Sequence, residues 1–149
     1  MKILRLRGFT LIELLVVIGI LAVLLAITLV AINPQKQFQQ ANDTQRQSDV
    51  NAILNAINQY AVDQKGQLPG GITATTTAIS DTGVNLCSTL VPEYLAALPS
   101  DPTGATLGAP ITNCTAAYDT GYTVSTSGNN RITVIAPNAE QVSSISATR

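Results

Sequence analysis

Histidine and tryptophan are absent from these 149 residues, there is one methionine, and aromatic residues make up 4% of the chain. Without histidine there is no imidazole for general acid–base catalysis, for activating a serine or cysteine nucleophile, or for the commonest mode of metal ligation. So few aromatics leave only a small core for the polar part of the chain, which then needs a staple or a long helix to hold it. Charged residues are equally sparse at 11%, and no basic cluster follows residue 65. Direct nucleic-acid binding is not expected, because phosphate neutralisation needs grouped Lys and Arg. No nucleophile or cofactor motif stands out, so no enzyme and no cofactor are expected.

What the chain has is one long apolar run. From Phe9 to Ile32 every residue is apolar or small except Thr10, Glu13 and Thr28. As a helix this run would span roughly 36 Å, more than the ~30 Å of bilayer hydrocarbon. Its Leu, Ile, Val and Phe side chains favour insertion by roughly 5–10 kcal/mol in sum. A single charge costs about 3 kcal/mol at the bilayer centre and less near an end, so the segment inserts despite Glu13. Lys2, Arg5 and Arg7 precede the run and only Lys36 follows closely. The positive-inside rule therefore puts the N-terminus in the cytoplasm and the chain beyond about residue 33 outside. A secretory signal fits poorly, since its apolar region is usually about 7–15 residues.

The two cysteines, Cys87 and Cys114, are expected to form a disulfide if the polar part is exported to an oxidising compartment, and to be free buried thiols otherwise. Asn33-Pro34 should break the helix just past the membrane. Val50, Ile53, Leu54, Ile57, Tyr60 and Ala61 then recur at helical spacing within 35–65, opposite a face of Gln, Asn and Asp, and Gly66 stops the pattern. Residues 70–89 read as a polar loop. Gly121 to Thr126 and Arg131 to Ala136, alternating about a Ser127-Gly128-Asn129-Asn130 turn, predict a β-hairpin with Tyr122, Val124, Ile132 and Val134 on its buried face. A third strand is expected around 111–118, and the tail after Pro137 carries little pattern.

The string RGFTLIELLVVIGILAVLLAI resembles the class III signal sequence of type IV pilins and type II secretion pseudopilins. The resemblance rests on the basic leader, Gly8, Phe9, the Thr-Leu-Ile-Glu that ends at Glu13, and the unbroken apolar run. It implies that a prepilin peptidase cuts between Gly8 and Phe9, that Phe9 is then N-methylated, and that Glu13 is the acidic residue used in filament assembly. It also implies an α+β fold, a long N-terminal helix whose second half packs on a small antiparallel sheet. The expected organisation is a leader over 1–8, a transmembrane or filament-core helix over 9–32, an amphipathic helix over 33–65 and an extracytoplasmic domain over 66–149. Phe9 and Glu13 are expected one turn apart on one helical face, so that the new amine and the carboxylate can pair. Beyond Ile32, the stretch Leu90 to Pro102, with Tyr94-Leu95 and Leu98-Pro99-Ser100-Asp101-Pro102, resembles an element frequent in pseudopilins and some pilins, read as a short helical turn ending at the prolines. Some major pseudopilins bind calcium near there. Asp101 and Asp119 are the candidate ligands there, but no dense acidic loop accompanies them and no metal site is expected.

Three functions fit these features. The chain can be a type IV pilin, a pseudopilin of a type II secretion system, or a single-pass membrane-anchored binding protein. For the first two, the implied partners are other copies in a homopolymer or mixed filament, prepilin peptidase, the inner-membrane assembly machinery and, before assembly, membrane lipid. The final location would be an extracellular filament or a periplasmic pseudopilus.

Overall fold

The computed structural model describes residues 8–149. The chain divides into two compact units, one reaching to Phe38 and the other Gln39–Arg149. In the first unit, helix α1 spans Leu11–Ile32 and has no buried residue. It begins where Thr10 leaves helical backbone (φ −83°, ψ 151°) and its Oγ1 accepts the N–H of Glu13 at 3.3 Å. That bond satisfies one of the orphan donors of the first turn. Among the described residues α1 is the one helix long and apolar enough to cross a membrane.

Asn33 ends α1 in the left-handed conformation at φ 46°. The break expected at Asn33-Pro34 is therefore there, and it is one residue long. Helix α2 resumes at once over Pro34–Asp63. Proline suits the first position of a helix because its missing N–H would lack an intrahelical partner anyway. The Asn33 carbonyl and side-chain Oδ1 both accept the Lys36 N–H, at 3.1 and 3.5 Å. Lys65 at φ 55° and Gly66 at φ 92° close α2, with the Gly66 N–H returning to the Ala61 carbonyl at 2.7 Å.

In the second unit four antiparallel strands follow in the order β1 (Thr77–Ser80), β2 (Asp119–Thr126), β3 (Ile132–Ala136) and β4 (Ile145–Thr148), each paired with its neighbour in sequence. The expected hairpin is β2–β3, with Val124 opposite Val134 and Thr126 opposite Ile132. Its inward residues Tyr122, Val124, Ile132 and Val134 share one core with Val50, Ile53, Leu54 and Ile57 of α2. The fold is thus α+β, a long apolar N-terminal helix followed by a helix and a small antiparallel sheet.

Three expectations are corrected. Residues 111–118 form no strand. Ile111 makes a single bridge to Leu98, and the chain then runs as turns to Tyr118. The sheet instead takes its outer strands from β1, inside the stretch read as a polar loop, and from β4, in the patternless tail. Lastly, the helical turn expected within Leu90–Pro102 lies earlier, in helix α3 over Cys87–Leu90, and the chain follows as turns and extended segments.

Candidate functional site

At the N-terminal end of α1, Gly8 and Phe9 are exposed and non-helical, and Phe9 is 78% accessible. Open space surrounds the position a Cβ would take on Gly8. A peptide bond outside the helix presents its backbone to a protease, whereas helical backbone is tied to the preceding turn. Phe9 precedes the Thr10 cap, so in the full-length chain Phe9 and Glu13 do not stand one turn apart on a helical face. Glu13 is the third helical residue after the Thr10 cap, the position that pairs with Ser or Thr in a capping box. In that first turn the helix dipole also favours a negative charge. Lys2, Arg5 and Arg7 lie outside the described residues.

The second cluster is in the globular unit. Arg46 is fully buried, although it lies on the same helical stripe as Val50, Ile53 and Leu54. All five of its N–H groups are used. Nε and Nη2 bond the two oxygens of Asp101 at 2.9 and 3.0 Å, and Nη2 also reaches Thr103 Oγ1 at 2.6 Å. Nη1 is shared between Asp43 at 2.8 Å and Glu140 at 3.2 Å. The hydrogen bonds to Asp101 raise the Arg46 pKa above its ordinary value, outweighing burial. Burial pushes the Asp101 carboxyl up, but the Arg46 and Thr103 donors outweigh it and hold the group below the usual carboxylate value. Asp43 is likewise lowered, since the N–H groups of Glu140 and Gln141 and the Arg46 guanidinium overcome its burial.

One turn on, Asp49 accepts the Tyr122 hydroxyl at 2.8 Å and the Gln45 amide at 2.7 Å. Here burial prevails and the Asp49 pKa is raised. Burial, then the Asp49 hydrogen bond, also raises Tyr122. No buried side-chain nitrogen or oxygen lacks a partner among the described residues. The network joins α2 to the loop at Asp101 and to the segment before β4. It is an internal tie that holds these elements together. Asp101 has both oxygens engaged by Arg46, and Asp119 Oδ1 accepts the Gly121 N–H at 2.9 Å. Among the described residues no group of three or more carboxylate or thiol ligands is gathered that could hold a metal ion.

Sequence reasoning missed Arg46 and Asp49. The signal was available, because continuing the Val50–Ile57 stripe one turn backwards places both on the buried face. Cys87 and Cys114 form a disulfide with Cα atoms 5.3 Å apart. Its sulfurs join the core at α3 to the loop before Tyr118.

The family model for the prokaryotic N-terminal methylation motif matches residues 5–29. The match contains Gly8, Phe9, Glu13 and most of α1. No curated protein and no solved structure matches the chain. The N-terminal methylation motif thus covers residues 5–29, on a helix long and apolar enough to cross a membrane, and the globular unit stands on its own geometry.

Proposed function

We propose that this chain is a prepilin. Prepilin peptidase cuts between Gly8 and Phe9, Phe9 is N-methylated, and the mature subunit polymerises into a type IV pilus or related filament. The methylation motif over residues 5–29, continuous with a fully exposed apolar helix, carries this reading. An exposed helix of this composition needs a solvent other than water. Lipid supplies it before assembly, and the equivalent helices of neighbouring copies supply it afterwards. The basic residues before Gly8 favour a cytoplasmic N-terminus and an extracytoplasmic globular unit. A pseudopilin of a type II secretion system shares every one of these features and is the second reading. It differs in the filament's length and place, not in the subunit chemistry.

The test is the intact mass of the protein isolated from membranes of a host with prepilin peptidase. Loss of residues 1–8 with gain of one methyl group is the expected result. An unprocessed N-terminus in that host would leave a single-pass anchored binding protein as the better reading. Electron microscopy with an antibody to the globular unit then separates long surface filaments from a short periplasmic assembly.

A further inference from the structure

The two sulfurs of the disulfide sit in different surroundings. Cys87 is 0% exposed within the hydrophobic core, and its N–H donates to the Tyr118 hydroxyl at 3.3 Å. Cys114 is half-buried, and Thr112, Asn113, Thr115, Ala116 and Ala117 around it are all exposed. The hydrogen bonds of this loop run within it, from the Thr115 N–H and hydroxyl to Asn113 Oδ1. Such a loop can be taken up as an extended peptide by a partner without disturbing the sheet. The segment at Cys87 cannot, because α3 is packed inside.

We propose that Cys114 is the sulfur through which this disulfide is made and exchanged, the partner being an extracytoplasmic protein or small molecule that carries a reactive disulfide. The Cys114 thiolate attacks one sulfur of the partner disulfide, forming a mixed disulfide and releasing the other partner sulfur as a thiolate. The Cys87 thiolate then attacks Cys114 Sγ, closing the native bond and expelling the partner's second sulfur. Two protein thiols lose two electrons and two protons, and the partner disulfide is reduced to two thiols. In reverse, an external thiolate attacks Cys114 Sγ and Cys87 is the leaving group. A thiolate expelled into an apolar core leaves reluctantly, so the bond is slow to reduce although its point of entry is fixed. This inference does not depend on the filament reading.

The experiment compares the full chain in detergent micelles as Cys87→Ser, which leaves Cys114, and as Cys114→Ser, which leaves Cys87. Each is labelled with dithionitrobenzoate, folded and in urea. Folded Cys87→Ser should react within a few-fold of its unfolded rate, and folded Cys114→Ser at least about tenfold more slowly than its unfolded rate, since its thiol must await local opening. Equal protection of both thiols, or faster reaction at Cys87, overturns the proposal. If either variant fails to fold, the wild-type chain decides. When reaction with excess reduced glutathione is quenched by acid before exchange equilibrates, peptide mapping should find the first adduct on Cys114. An adduct on Cys87, or on both alike, overturns it.

Discussion

Arg46 shows how much one buried residue can organise in a domain with a small core. An isolated guanidinium would be costly to bury, but three carboxylates and a hydroxyl accept all its donors. Arg46→Met should therefore destabilise the globular unit by about 3–5 kcal/mol, because it strands the Asp101 carboxylate in the interior. Adding Asp101→Asn to Arg46→Met should recover part of that loss, and urea unfolding followed by circular dichroism measures both. The same cluster predicts the acid response. Asp43 and Asp101 have lowered pKa values in the folded state, so their contribution is present above the ordinary value of 3.8 and is lost as pH falls below it. Asp49 has the opposite sign. Its folded pKa is raised, so stability improves as pH falls through that value towards 3.8. Urea midpoints should thus rise slightly on mild acidification and then drop below about pH 4. Asp49→Asn should abolish the rise and leave the drop, since its amide oxygen still accepts the Tyr122 hydroxyl.

At the scale of elements, legibility followed length and alternation. The central stripe of α2 and the β2–β3 hairpin were readable because each repeats its apolar residues over several turns or pleats. β1 and β4, with the sequences TAIS and ISAT, offer four residues and one isoleucine apiece, too little for a period to declare itself. The third strand expected near 111–118 failed for a complementary reason. Ile111 and Tyr118 are buried there, but Cys114 between them is drawn to Cys87, which removes the chain from any ladder. Arg46 and Asp49 were hidden by the habit of reading polar residues as the solvent side of a helix. Gly121 marks where an element meets the network. Its φ is 75°, and a Cβ there would come within 2.8 Å of the Asp101 Cβ. Gly121→Ala should cost about 1–3 kcal/mol through backbone strain, with more from displacing Asp101, and a lowered Tm would register it. If Gly121→Ala melts like the wild type, the close packing of β2 on the Asp101 loop is not what fixes this corner.

For the molecule as a whole, the outstanding question is why an apolar helix keeps an acid near its start. Two physical roles fit Glu13, and they make different demands. As the third residue after the Thr10 cap, it needs only a side-chain acceptor and donor geometry that glutamine also provides. As a register device in a filament, it needs its charge, because an anion buried among packed helices is costly until a neighbouring copy's N-terminal amine meets it. A heterologous, non-closing contact of that kind propagates a filament, and one axial offset satisfies the charge. Phe9 lies outside the helix ahead of Thr10, so pairing within one full-length chain does not follow from helical spacing. Glu13→Val should insert and be cut normally yet assemble poorly on either account. Glu13→Gln separates them. If capping is the whole role, filaments visible by electron microscopy form as in the wild type. If charge pairing sets the register, the glutamine variant is cleaved, accumulates in the membrane and yields far fewer filaments than the wild type.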